Sequence, residues 1–112
     1  MSESALYTPI ILAARSAGYA ALVRVQSGRA RVKGAWAHFA ESGTPDLLGY
    51  LLRGPRRGTF VGLEVKLPGK KPTAEQLKRR AEIEAAGAIA GVVHSVTEAL
   101  TFLRNATEQQ TQ

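Results

Sequence analysis

A chain of 112 residues, 45% apolar and 21% charged, fits one domain with a modest single core and no internal repeat or linker. The absence of cysteine excludes disulfides, thiolate catalysis and zinc–thiolate sites, and agrees with a reducing compartment. No apolar run is long enough to cross a bilayer, the N-terminus lacks a basic-then-apolar leader pattern, and 15 Lys and Arg against 9 Asp and Glu give a formal charge of +6, which favours a polyanionic partner such as nucleic acid.

In chain order, Leu6, Ile10, Ala13 and Ala17 recur at helical spacing and predict a helix over residues 3–17, ended by Gly18. Pro9 either takes the first helical position behind a Thr8 cap or distorts a helix that begins near Ser4. Tyr19 to Val25 reads as a first strand, with Leu22 and Ala20 on one face, and Gln26-Ser27-Gly28 as a turn. Between Arg29 and Ala40 the pattern is broken. Arg29, Arg31 and Lys33 alternate with Ala30 and Val32, Gly34 intervenes, and Trp36 and His38 resume on the opposite parity. An edge strand with a bulge near Gly34, or an ordered loop, would give this pattern. Trp36 and Phe39 are better read as packing groups than as platforms on which bases stack.

Leu47 to Leu52 and Thr59 to Leu67 are the next strands, joined by the Gly/Pro-bounded turn Arg53-Gly54-Pro55-Arg56-Arg57-Gly58. The three arginines of that turn are either solvated or phosphate contacts, and Lys70 and Lys71 mark a second basic loop. Thr73-Ala74-Glu75-Gln76 has the form of a capping box, so a helix starts there and runs to about Ala86, with Ala74, Leu77, Ala81 and Ala85 as its inner stripe. Ile89 to Val93 is a fourth strand, and Ser95 or Thr97 caps a last helix that turns Val96, Leu100 and Leu103 inward. A helical crossover between the third and fourth strands makes them parallel neighbours. The expected fold is therefore α/β: a mixed sheet flanked by helices, one domain over residues 1–106, with 107–112 as a disordered tail.

The chemistry concentrates between Ser42 and Lys66. Asp46 follows Gly43-Thr44-Pro45 where an apolar run begins, and strand alternation puts Glu64 and Lys66 on one face, away from Val61, Leu63 and Val65. Two carboxylates and an ammonium at one sheet edge suit hydrolysis of a phosphodiester. That reaction needs a hard divalent cation, an activated water and stabilisation of the leaving oxygen. Asp46 and Glu64 supply oxygens for magnesium, the Val65 carbonyl can add a third, and Lys66 is placed to stabilise developing charge or to act as the base. A Pro-Asp and a Glu-x-Lys are each short enough to occur by chance. Their context strengthens them: a hairpin lies between, a helix follows, and Gln76 stands in its first turn. A capping box accounts for Gln76 without catalysis, and the two roles are compatible. His38 and His94 have no partner motif and read as surface or packing residues.

Gly43-Thr44-Pro45-Asp46, Glu64-Val65-Lys66 and Thr73-x-x-Gln76 together resemble the VRR-NUC family of the PD-(D/E)XK nuclease superfamily, over Glu3 to about Leu103. The resemblance implies a restriction-endonuclease-like fold and a magnesium-dependent deoxyribonuclease, with manganese able to substitute. Asp46 and Glu64 would bind metal, Lys66 would be catalytic, Gln76 would line the site, and Glu3 would be a further acid from the first helix. Arg24-Val25-Gln26-Ser27-Gly28 takes the place of the family's Arg-Asn-x-Gly-like turn, with Gln26 as a departure. Arg24, Arg53, Arg56, Arg57, Lys70 and Lys71 are the candidate nucleic-acid contacts. The resemblance further implies a homodimer acting on branched DNA or Holliday junctions in replication, repair or recombination, in the cytoplasm (the host's, if viral). The alternative from charge alone is a non-catalytic nucleic-acid-binding module with salt-sensitive binding and no cutting.

Overall fold

The structure, a computed structural model, describes residues 1–25 and 43–110 in full and the main chain of 29–32 and 35–38. The expected turn at Gln26-Ser27-Gly28, the bulge at Gly34, the packing roles of Trp36 and Phe39, and residues 111–112 lie outside the described residues. A short 3-10 turn, Glu3–Leu6, leads into α1 (Tyr7–Ser16), followed by β1 (Ala20–Arg24), β2 (Arg29–Val32), β3 (Ala35–His38), β4 (Leu47–Leu51), β5 (Phe60–Val65), α2 (Ala74–Ala85), β6 (Ile89–Val93) and α3 (Val96–Glu108).

Pro9 is the third residue of α1, where an N–H would have no intrahelical partner, and the tighter turn before it begins at Glu3. Of the two expectations for Pro9, the structure has the second, a helix distorted near its start. The segment around Arg29–Ala40 differs from both expectations: it forms two strands, β2 and β3, paired antiparallel with Val32 opposite Ala35 as a sheet of their own.

The main sheet has the order β1-β4-β5-β6. β4 pairs antiparallel with β1 and β5, and β6 pairs parallel with β5 across the α2 crossover, so the sheet is mixed as expected. Leu47, Leu51, Val61, Leu63, Val65 and Val93 join Ile10 and Leu103 as the largest fully buried side chains. Each such burial contributes roughly 1.5–3 kcal/mol of transfer free energy. On the opposite side of β5, a Cβ at Gly62 would lie 3.0 Å from Pro45 Cγ and 3.5 Å from Ile83 Cδ1, so α2 crosses that face closely.

The expected inner stripe of α2 is not the observed one. Ala74, Leu77, Ala81 and Ala85 are all exposed, and Gln76, Arg79, Arg80 and Ile83 are the partly buried positions. Gln76 reaches Glu64 on β5 and Ile83 sits over Gly62, and these two anchors set the helix's rotation. Three alanines offer too little apolar area to compete. The last helix also runs further than expected. It is capped by Ser95, buries Ala99, Leu103, Ala106 and Thr107, and continues to Glu108, so helix occupies the start of the expected tail.

Candidate active site

The antiparallel register of β4 and β5 pairs Leu47 with Leu63, so the residue before β4, Asp46, comes beside Glu64 near the end of β5. Gly43 delivers the turn that carries Asp46. Its φ is +87°, and a Cβ there would fall 2.6 Å from the Glu75 carbonyl oxygen, so only glycine lets this turn pass the first turn of α2.

The Asp46 carboxylate accepts the Val65 N–H through Oδ2 at 2.8 Å and lies next to Glu64 across the β4–β5 pair, while burial and the nearby Asp46 push the Tyr7 hydroxyl up. The Asp46 carbonyl accepts the Val25 N–H at 2.9 Å, which ties the acid to the end of β1. Glu64 is only 6% exposed. Burial, then its hydrogen bond with Asp46 and the charge of Asp46, push its carboxyl up to about 9, against the opposing pull of Lys66. Burial and the neighbouring Asp46 thus favour the protonated form of the Glu64 carboxyl. Lys66, two residues on, is half-buried at the same end of the sheet.

Gln76 holds Glu64 from the other side. Its Nε2 donates to Glu64 Oε1 at 2.8 Å, while its Oε1 accepts the Thr73 N–H at 2.8 Å and its own N–H donates to Thr73 Oγ1 at 3.2 Å. The cap consumes the amide oxygen and so aims the amide nitrogen at the acid. One side chain thus completes the capping box and reaches the Glu64 carboxyl. Glu3 reaches this end of the sheet too, accepting the Leu67 N–H at 3.3 Å, and its charge adds to the upward shift of Glu64.

A shared proton between two crowded carboxyls relieves the same repulsion that a cation would relieve with both ionised. The donors are all oxygen, which suits magnesium or manganese rather than a soft metal. Among the described residues no group of three or more Asp, Glu or His is placed to hold an ion. A cation on Asp46 and Glu64 would thus fill its other positions with a main-chain carbonyl, water or phosphate.

No family profile matches the sequence and no curated protein matches it. A solved structure described as a VRR_NUC domain does match, with a TM-score of 0.63 and 23% identity over 93% of this chain and 97% of that chain. The fold is that of a VRR-NUC domain. It is the architecture that the resemblance implied, with a mixed sheet and the α2 crossover.

Within the VRR-NUC fold, the six candidate nucleic-acid contacts divide between two ends of the sheet. Arg24 closes β1, paired with Leu47, and its guanidinium lies 5.0 Å from the centroid of the Tyr7 ring, beside the acids. Lys70 and Lys71 are exposed on the loop that leaves the site after β5. Arg53, Arg56 and Arg57 sit on the β4–β5 loop, at the other end of a six-residue strand, roughly 17 Å away at 3.3 Å per residue. Arg53 stacks on Tyr19 at 4.7 Å. Arg56 donates to the Gly87 carbonyl at 2.6 Å and to Gln109 Oε1 at 2.8 Å, binding this loop to the α2–β6 turn and the end of α3. These bonds engage the Arg56 guanidinium within the protein, a structural role the sequence reading did not include. His94 pairs with Glu98 at 2.8 Å on the partly exposed first turn of α3.

Tyr7 is the functional candidate that the sequence reading missed. It lies one helical turn after Glu3, on the same face, and that spacing was the available signal. A tyrosine among Leu6 and Ile10 otherwise passes for core.

Proposed function

We propose that this VRR-NUC-fold protein is a metal-dependent DNA endonuclease. The observation that carries the reading is the Asp46–Glu64 pair: two adjoining carboxyls at the end of a sheet, one held by the Val65 N–H and the other by the Gln76 amide, with Lys66 two residues on. A magnesium or manganese ion held by Asp46, Glu64 and the Val65 carbonyl would neutralise the scissile phosphate and activate a water. Asp46 is oriented for this by the Val65 N–H, and Glu64 by the Gln76 amide. The Lys66 ammonium would stabilise the charge that develops on phosphate and leaving group, or, as a neutral amine, Lys66 would take the proton from the attacking water. Arg24 at the end of β1, and Lys70 and Lys71 on the loop after β5, would meet the backbone of the strand being cut.

The resemblance to VRR-NUC nucleases supports the finer reading of a cytoplasmic homodimer that prefers branched DNA in replication and repair. No helix is long and apolar enough to cross a membrane among the described residues. Linear, flapped and four-way DNA incubated with magnesium would test the proposal: wild-type protein cuts, chelator stops it, and Asp46→Ala or Lys66→Ala abolishes cutting. Salt-sensitive binding without cutting by the wild type would leave the non-catalytic reading instead.

A further inference from the structure

A cleft opens at the far end of the sheet from the acids, where the β4–β5 loop, the α2–β6 turn and the last turns of α3 meet. Its volume is about 930 Å³, within the range of small-ligand sites. Arg56, Arg57 and Arg80 line it against a single carboxylate, Glu84. Buried Ile89 and Ala90, with Phe102, form an apolar wall. We propose that this cleft binds a nucleoside monophosphate, with the arginines on the phosphate and Phe102 beside the base.

Three guanidinium groups and one carboxylate leave two positive charges, and a phosphate monoester carries about −1.5 to −2 at neutral pH. An internal phosphodiester carries only one. Arg56 is already set for the anion. Its Nη2 donates to the Gly87 carbonyl at 2.6 Å and its Nη1 to Gln109 Oε1 at 2.8 Å. Both acceptors are neutral, so the side chain is held without losing its charge. Two of a guanidinium's five N–H donors are used and three remain. A fork held in advance loses less side-chain freedom on meeting a phosphate. Arg57 is exposed beside it. Arg80 donates to Glu84 through Nε at 3.0 Å, an exposed pair that contributes little to stability and leaves the Nη edge for a phosphate.

The wall favours a nucleotide over a bare anion. The tip of the Phe102 ring is seated on Gly91, where a Cβ would lie 2.5 Å from its Cζ, so the ring is fixed in place. A fixed aromatic ring next to Ile89 and Ala90 offers a flat base an apolar surface at little ordering cost.

Calorimetric titrations in chelator keep metal from the acids and make the result independent of cutting. Deoxyadenosine monophosphate should give saturable one-to-one heats, and inorganic phosphate should bind about tenfold more weakly. Arg57→Ala should weaken the nucleotide about tenfold, and Phe102→Leu should bring it down to the level of inorganic phosphate. Lys70→Ala, near the acids, should leave it unchanged. Circular dichroism melts confirm folding; if Phe102→Leu does not fold, Arg57→Ala and the two ligands decide. Absence of saturable heat, equal affinity for nucleotide and inorganic phosphate, wild-type affinity in Arg57→Ala, or a loss in Lys70→Ala each overturns the site. An end-phosphorylated oligonucleotide that displaces the nucleotide where its unphosphorylated twin does not identifies a strand end as the source of the monoester. Displacement by neither identifies the free nucleotide, and equal displacement by both overturns the monoester assignment. The nuclease reading, which rests on the acid pair, is untouched by any of these results.

Discussion

The carboxylate of Asp46 accepts the main-chain N–H of Val65 at 2.8 Å, so the first acid of the site is bonded to the residue that directly follows the second. The spacing of the acid pair is thereby written into the backbone of β5. Asp46→Ala would leave that N–H without its partner at a cost of about 1–3 kcal/mol, whereas Asp46→Asn keeps an acceptor of the same shape. Thermal melts should place Asn close to wild type and Ala several degrees below it, with cutting lost in both. Equal melting temperatures for Ala and Asn would show that the bond contributes nothing to folding.

Glu64 gives the protein a pH dependence of definite sign. Its carboxyl is raised from 4.5 to about 9 by burial and by Asp46, so the folded state binds more protons than the unfolded one between those values. The stability this group contributes is complete below about 4.5 and falls as pH rises through about 9. Denaturant melts of metal-free protein should show that decline, Glu64→Gln should flatten it, and magnesium should reduce it. Magnesium binding should also release protons near neutral pH, visible as calorimetric heats that change with the ionisation enthalpy of the buffer.

The Gln76 amide separates cap from site by substitution. Gln76→Glu retains an acceptor for the Thr73 N–H but replaces the donor to Glu64 with a third carboxyl. Helix content should survive, while the pH at which magnesium binds moves upward. Gln76→Ala removes both bonds and should lower stability by about 1 kcal/mol. A Gln76→Glu protein with wild-type pH dependence would show that the 2.8 Å contact does not influence Glu64.

Arg56 and Arg57 are adjacent in sequence and should behave differently. Arg56 bridges the Gly87 carbonyl and Gln109, so Arg56→Ala should cost about 1–3 kcal/mol in urea melts. Arg57 is exposed with no such bridge among the described residues, and Arg57→Ala should stay within about 0.5 kcal/mol of wild type. Indistinguishable midpoints for the two variants would remove the structural role given to Arg56.

The parts legible in the sequence were those encoded by short-range spacing. Glu64 and Lys66 share a face because strand alternation has a period of two, and Thr73 with Gln76 announces its cap because both partners lie in one turn. The parallel pairing of β5 with β6 followed from a single helix between two apolar runs. What escaped depended on partners distant in sequence. The rotation of α2 is set by Glu64 and Gly62, so an alanine stripe with little apolar area misleads. Arg56 looks solvated at a loop tip because its partners lie 31 and 53 residues away. Tyr7 meets Arg24 only when the end of β1 folds over the start of α1.

The shared amide of Gln76 also ties the setting of Glu64 to the formation of α2. The bond that starts α2 and the bond that holds Glu64 belong to the same planar group, so fraying of the first helical turn removes the donor from the acid at once. A partly folded chain in which α2 has not nucleated lacks a finished centre. The proposed chemistry therefore waits on the first turn of α2.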